Sequence, residues 1–224
     1  MLMTVKEAIA IAGPLGFPSK MPGTSFGISA KACILGAKLA KVEGSTCHGC
    51  YALKANYLYP SVQIAHDKRM AGLTNPAWTA AMITLLTVTH KTGRGRNGKI
   101  ARGWHRWHDS GDLQSVDHLT KICAVAAGTP KIRHWLPTRE IGILTQYIKQ
   151  GGIVPANLTI RVSATKVDGD ATQAWPVTSG VHNAKPAQGH DCPANRRTGK
   201  MKGKCGPCRA CWMPEVPHVS YPLH

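Results

Sequence analysis

The chain has 224 residues, of which 43% are hydrophobic and 17% are charged. This length and composition are typical of one globular domain with a sizeable core, and they exclude a disordered chain. No run approaches the ~18 apolar residues of a transmembrane helix, so no membrane association is expected. The first residues also lack the basic and then apolar order of a secretory signal, which predicts a cytosolic protein.

Basic residues far outnumber acidic ones. The 28 Lys and Arg against 11 Asp and Glu give a formal net charge of +17. Such an excess steers a protein towards polyanions, nucleic acid first among them. A basic surface that only keeps the protein soluble is the alternative, and the charge alone does not separate the two.

The first half of the chain predicts one strand and two helices. Residues 1–23 are rich in Pro and Gly and predict an irregular lead-in. Weak alternation over 24–30 predicts the first strand. Apolar spacing predicts helices over 51–70 and 78–90. The basic, Gly-rich stretch 91–99 predicts a loop that is a candidate phosphate contact.

From residue 100 onwards the pattern becomes regular. Strands are predicted over 100–108, 131–136 and 157–162, and helices over 114–127 and 141–150. This alternation is typical of parallel βα units. The number of units favours a partial (β/α) barrel, because a complete one takes about 250 residues.

The predicted fold is therefore α/β, with a partial barrel of parallel strands in residues 1–165. A Cys-rich irregular segment, 166–224, follows and is expected to fold back on the strand ends within the same single domain. Cofactors bind at the carboxyl ends of parallel strands. The polar residues that follow the predicted strands are thus candidate site residues: Asp109-Ser110-Gly111-Asp112, Thr138-Arg139-Glu140 and Ser163.

The most specific signal in the sequence is its cysteine spacing. Cysteines in a cytosolic chain are metal ligands more often than disulfides. Cys205, Cys208 and Cys211 recur at every third position, with Cys192 upstream. This spacing is typical of a [4Fe–4S] cluster, and zinc, which usually takes two separated cysteine pairs, is the alternative.

Cys33, Cys47 and Cys50 form a second set near the first predicted strand. They either make a second, three-thiolate site or complete the first one, so one or two clusters are expected. A three-cysteine site leaves one iron open to a substrate or cofactor, whereas four cysteines suit electron transfer or a structural role. Cys33 alone could instead be a small core residue, and Cys123, on the apolar face of a predicted helix, is predicted to be one.

Three motifs carry a resemblance to a known family. Residues 47–54 (CHGCYALK), 107–112 (WHDSGD) and 205–212 (CGPCRACW) resemble the phage gene-product-eighty-eight-like family, over about residues 33–212. This resemblance implies a viral protein that acts in the host cytoplasm and binds an iron–sulfur cluster. It implies no particular reaction.

The arrangement is also similar, more distantly, to radical S-adenosylmethionine enzymes. Those enzymes place a cluster-binding cysteine loop after the first strand, where Cys33, Cys47 and Cys50 lie, although their usual CxxxCxxC spacing is absent here. Their Gly-Gly-Glu-like turn corresponds to Ser110-Gly111-Asp112, and their ribose contact to Ser163. This resemblance implies S-adenosylmethionine as a cofactor and radical chemistry on a small molecule or nucleotide.

The sequence thus favours an iron–sulfur protein whose cluster lies between the loop after the first strand and the C-terminal segment. Asp112, Arg139 and Ser163 are expected to line the pocket, and enzymatic activity is left open. The alternative is a nucleic-acid-binding protein in which zinc or a cluster only stabilises the fold. In that version, loop 91–99 and the basic residues of 196–204 contact phosphates.

Overall fold

The structure is a computed structural model that describes residues 3–95 and 98–223. Its helices are α1 (Val5–Ala12), α2 (Ile34–Leu39), α3 (Pro60–Gly72), α4 (Trp78–Thr92), α5 (Val116–Gly128) and α6 (Ile141–Lys149). Its strands are β1 (Thr24–Phe26), β2 (Arg94–Gly95), β3 (Gly98–Lys99), β4 (Trp104–Trp107), β5 (Arg133–Thr138), β6 (Leu158–Val167), β7 (Thr178–His182), β8 (His190–Asp191) and β9 (His218–Pro222).

Seven of these strands form one sheet in the order β1-β4-β5-β6-β7-β9-β8. Every neighbouring pair in it is parallel. The short strands β2 and β3 form a separate two-stranded antiparallel sheet. The predicted α/β class is confirmed: the open parallel sheet with flanking helices is a partial barrel, followed by a Cys-rich irregular segment.

Three predicted elements are shorter than expected, and one of them, the strand predicted over 100–108, covers only Trp104–Trp107. The helix predicted over 51–70 begins only at Pro60, after two short 3-10 turns. Proline cannot lie inside a helix without losing a hydrogen bond and clashing with the preceding turn, whereas it is well suited to the first helical position. The first strand ends at Phe26, because its partner β4 ends where His108 adopts a left-handed φ of 51°.

One face of the sheet packs on helices α1, α4, α5 and α6 and forms the main core. Phe26 and Trp107 from the strands meet Trp78 of α4, with ring centroids 5.6–6.0 Å apart. Cys123 lies in this core at 4% exposure, which confirms its prediction as a packing residue. Among residues 3–95 and 98–223, no helix combines the length and apolar character that a membrane span requires.

The opposite face is covered by the C-terminal segment. Side chains alternate along a strand, so Trp104 and Trp135 point away from the helices and pack against Trp212. The indole Nε1 of Trp212 donates to the carbonyl oxygen of His105 at 2.8 Å. The same segment supplies β8 and β9, which extend the sheet beyond β7. Cysteines of the C-terminal motif are thereby held against the sheet.

Candidate metal centres

The first candidate centre lies at the carboxyl ends of the strands and contains Cys33, Cys47 and Cys50; we call it the three-cysteine group. Cys33 immediately precedes α2, in the connection that follows β1. The loop with Cys47 is tied to the end of β6, because Thr46 donates its backbone N–H to the Thr165 carbonyl at 2.9 Å. The Thr46 hydroxyl also donates to the Ala164 carbonyl at 2.9 Å.

A glycine keeps open the space between two of these sulfurs. A Cβ placed on Gly36 of α2 would lie 3.0 Å from the Cβ of Cys33, 3.4 Å from its Sγ and 3.6 Å from the Sγ of Cys47. The sulfurs of Cys33 and Cys47 therefore border the same spot beside α2. A larger residue at position 36 would fill the space beside these two sulfurs.

The thiols of this group are electrostatically coupled. Burial raises the pKa of Cys33 to about 12, with Asp112, Cys47 and Cys50 raising it further and Arg139 opposing them. Burial likewise raises the pKa of Cys47, against the lowering effect of Arg139. A coordinated metal ion reverses this balance, because it favours the thiolate over the thiol.

Asp112 connects two strand ends and positions its neighbours. Its carboxylate accepts from the Leu113 N–H at 2.8 Å, the Thr138 hydroxyl at 2.6 Å and the Arg139 N–H at 2.9 Å. Burial nevertheless raises the pKa of Asp112 to about 6. The Arg139 guanidinium donates through Nε and Nη2 to the Thr46 hydroxyl at 3.1 and 2.9 Å. Hydrogen bonds thus run from β4 through β5 to the cysteine loop.

Among the other predicted site residues, some polar atoms have a hydrogen-bond partner and others have none among the described residues. Ser110 is 2% exposed, and neither its Oγ nor the Oδ1 of Asp109 has a hydrogen-bond partner among the described residues. Gly111 has a φ of 79°, and a Cβ there would lie 2.3 Å from the Ile28 side chain, so glycine is required. Ser163, predicted to follow its strand, lies inside β6 because the strand extends to Val167, and its hydroxyl oxygen lies 3.1 Å from that of Ser179.

The second candidate centre contains Cys192, Cys205, Cys208 and Cys211, and we call it the four-cysteine group. The Cys192 N–H donates to the Ser220 carbonyl of β9 at 2.9 Å. Burial raises the pKa of Cys192, Cys205 and Cys211, and in each case other members of the group raise it further. The thiols are therefore neighbours, although 19 positions separate the first from the last.

Two polar side chains flank the thiols of the four-cysteine group. The Cys211 sulfur lies 3.2 Å from the Tyr221 hydroxyl. The Cys208 sulfur lies 3.4 Å from Nε2 of His190. Imidazole and thiolate together form a common zinc ligand set, so His190 is a further potential ligand that its sequence spacing did not indicate.

A buried arginine holds the last turn of the four-cysteine group. Arg161 of β6 has no exposed surface and donates to the carbonyl oxygens of Thr178, Ala210, Cys211 and Met213 at 2.7–3.2 Å. Sequence reasoning did not identify this residue. A lone charge within the apolar strand pattern Leu158–Val162 was the available signal, because a charged residue is almost never fully buried unless it is paired or hydrogen-bonded.

The two groups have different surroundings. The three-cysteine group contacts α2 and the ends of β4, β5 and β6, whereas the four-cysteine group contacts β8, β9 and the face of β6.

Within the described residues, no three side chains of His, Cys, Asp or Glu converge tightly enough to hold a metal ion as they stand.

The basic stretches assigned to phosphate contact lie at the surface. The stretch predicted as the loop 91–99 begins with the last two residues of α4 and continues with the paired strands β2 and β3, and residues 96 and 97 lie outside the described part. Arg196, Lys200 and Lys202 are exposed near the four-cysteine group, and Arg196 pairs with Asp191 at 2.9 Å.

Comparison with known proteins identifies one family. The family model described as Gene product 88 matches residues 9–214, which is most of the chain and includes both cysteine groups. Neither a curated protein nor a solved structure matches the chain. The protein therefore belongs to the Gene product 88 family of phage proteins.

Proposed function

We propose that this phage protein binds two iron–sulfur clusters, of the [4Fe–4S] type, one in each cysteine group. The observation that carries the proposal is that the sulfurs of Cys33 and Cys47 border the same space beside Gly36. The two thiols come from separate loops and lie at the carboxyl edge of a parallel sheet, where cofactors bind in this class of fold. Thiolates are the ligands that iron–sulfur clusters require.

The two groups would serve different roles. Three cysteines leave one iron of a [4Fe–4S] cluster without a protein ligand, whereas four cysteines complete the coordination. The three-cysteine centre is then the reactive one, and the four-cysteine centre serves electron transfer or stability. We place this activity in the host cytoplasm, where thiols stay reduced.

The loop after β4 supplies polar contacts beside the proposed reactive centre. The unpartnered atoms of Asp109 and Ser110 lie in this loop, at the same sheet edge as Asp112. A buried polar atom without a partner is costly, and a bound ligand offsets that cost. We propose S-adenosylmethionine as this ligand, on the resemblance of the Ser110–Asp112 turn, with a small molecule or nucleotide as substrate.

The second candidate is zinc in the four-cysteine group, favoured by the 3.4 Å distance between Cys208 and His190. Zinc there would only stabilise the C-terminal segment. The exposed basic residues Arg196, Lys200 and Lys202 would then meet nucleic acid, and binding would weaken steeply with salt.

Metal analysis of cysteine variants tests the proposal. In anaerobically reconstituted protein, Cys33→Ser and Cys205→Ser are each expected to remove about half of the iron and sulfide, and the double variant nearly all of it. Cys123→Ala, in the core, is the matched control and should keep the wild-type content. Paramagnetic resonance of the two single variants should show two different clusters. Full iron content in Cys33→Ser would reject the three-cysteine centre, and stoichiometric zinc without iron would favour the second candidate.

The space beside Gly36 gives a second prediction. Gly36→Val places methyl groups against the sulfurs of Cys33 and Cys47, so the iron of the three-cysteine centre should be lost while that of the four-cysteine centre remains. Gly142→Val in α6 is the matched control, because a Cβ there meets no atom within 4 Å. Iron per chain and the thermal midpoint are measured for both. Equal iron content in the two variants would contradict a cluster at this position.

A further inference from the structure

A groove with a volume of about 230 Å³ lies beside the four-cysteine group. One wall is the chain that leads into β1, and the other is the segment around Cys205. The Cys205 N–H donates to the Lys20 carbonyl at 2.9 Å, and this bond ties the two walls together. The groove is therefore a formed feature of the fold.

The walls of the groove carry positive charge and no negative charge. Its lining includes Lys20, Lys204 and Arg209, and no Asp or Glu is among the lining residues. Lys20 is exposed and Lys204 is half-buried, so both ammonium groups are within reach of a ligand from solvent.

The arginine of the groove is held in place. Arg209 lies over the Trp104 ring, with its guanidinium carbon 5.1 Å from the ring centroid. Its Nη1 donates to the carbonyl oxygens of Gly206 and Cys208 at 2.6 and 2.7 Å. A guanidinium has five N–H donors, so donors at Nε and Nη2, which bond to none of the described residues, remain for a ligand.

A second arginine next to the groove has an unused donor. Arg197 lies against Gly206, where a Cβ would be 2.9 Å from its guanidinium carbon. Its Nε is buried and has no hydrogen-bond partner among the described residues. Buried donors of this kind normally have a partner, and an anion in the neighbouring groove would provide one.

We propose that this groove binds the phosphate groups of a phosphorylated ligand. Arginine and lysine are the residues that proteins use to bind phosphate, through charge-assisted hydrogen bonds. The volume is below the roughly 300–1,000 Å³ of sites that enclose drug-sized ligands, so the groove suits a diphosphate or one unit of a nucleic-acid backbone. The proposed phosphate site is separate from the proposed clusters. The proposal does not depend on which metal the four-cysteine group binds.

Calorimetric titration tests the site. The probes are inorganic pyrophosphate and a single-stranded oligothymidine, each titrated into the purified full-length protein. The test variant is Lys20→Gln/Lys204→Gln. The control is Lys6→Gln/Lys149→Gln, which removes the same charge from exposed positions on α1 and α6. We expect the test variant to bind at least one probe about tenfold more weakly than the control does.

Each outcome decides the proposal. Selective loss of pyrophosphate binding supports a free phosphorylated ligand, and selective loss of oligonucleotide binding alone supports a nucleic-acid backbone. Equal weakening in both double variants, or no binding of either probe to the wild type, overturns the site. Iron content is measured on the same samples, so a failure of the cluster proposal is seen separately.

Discussion

Replacing Arg161 with methionine is expected to lower the free energy of unfolding by at least about 3 kcal/mol. Methionine keeps an unbranched apolar stem but donates no hydrogen bonds. The carbonyl oxygens of Thr178, Ala210, Cys211 and Met213 would lose their common donor. The carbonyls of Ala210 and Met213 keep a second donor, the N–H groups of Met213 and Val216 at 3.2 Å, so the loss falls mainly on the other two. An unsatisfied buried acceptor costs roughly 1–3 kcal/mol, although neighbouring costs do not add fully.

The matched control for this variant is Arg133→Met on the adjacent strand β5. Arg133 is exposed, and surface substitutions usually change stability by about 0.5 kcal/mol or less. Urea unfolding followed by tryptophan fluorescence measures both variants. Amide hydrogen exchange across residues 208–213 shows whether the loss is centred on the four-cysteine segment. A change below about 1 kcal/mol in Arg161→Met would mean that these carbonyls find other donors.

A metal bound by the four-cysteine group is expected to reduce the destabilisation caused by Arg161→Met. A metal bound by the four-cysteine group would hold the segment of Ala210 and Cys211 independently of Arg161, and binding to the folded state alone adds stability. The destabilisation by Arg161→Met should therefore be larger in chelator-treated protein than in reconstituted protein. Equal losses in the two forms would separate Arg161 from the metal centre.

The strands and helices from β4 to β6 were predicted well because local patterns determine them. The helices predicted over 114–127 and 141–150 correspond to Val116–Gly128 and Ile141–Lys149. Ser115 caps the start of α5, since its side chain accepts from the His118 N–H at 3.1 Å. Periodicity, caps and glycine stops act over a few residues, and a sequence shows them directly.

The arrangement of the sites could not be predicted in the same way. The extension of β6 to Val167 involves pairing of Val167 with Val181 of β7 and a bridge between Lys166 and Ser45, which lies more than a hundred residues away. The space at Gly36 depends on two cysteines from separate loops. Asp112 and Arg139 were predicted to line the pocket. In the structure, their hydrogen bonds connect strand ends within the protein. Such contacts are set by tertiary packing and leave no local pattern.

Strand β6 links the two cysteine groups. Its Arg161 holds the carbonyl of Cys211 on the sheet face, and its Ala164 accepts from Thr46, the neighbour of Cys47, at the strand end. These two residues are about 10 Å apart along a strand. One rigid element thus positions both proposed centres, so a distortion of β6 should affect both of them together.

Buried histidines make acid unfolding the second large effect that we expect. Burial lowers the pKa of His118 and His90 to about 4 and that of His134 to about 3. Burial also lowers the pKa of the remaining buried histidines, His66, His105 and His108. The unfolded chain takes up these protons near pH 6.5, whereas the folded protein does not. The stability contributed by neutral histidines is therefore complete above about pH 6.5 and is lost as the pH falls.

The expected slope is steep. Each histidine contributes up to about 1.4 kcal/mol per pH unit between pH 6.5 and its own lowered pKa in the folded protein, so the six that are buried in the described part of the chain approach about 8 kcal/mol per pH unit near pH 5. Asp112 acts in the opposite direction, because its raised pKa of about 6 lets the folded state bind one proton first. One carboxylate does not offset this set of histidines. Since domains are stable by about 5–15 kcal/mol, unfolding should be complete well above pH 3.

Urea titrations between pH 8 and pH 5 measure this slope. The His118→Phe variant is the informative one, because neither ring nitrogen of His118 has a hydrogen-bond partner among the described residues. Phenylalanine keeps a ring against Trp78, from which the imidazole centroid is 5.9 Å away. The variant should therefore lose about 1.4 kcal/mol per pH unit of the acid slope while its stability between pH 7 and pH 8 changes little. An unchanged slope would show that His118 already binds its proton in the folded protein, and the acid lability would then have to come from other groups.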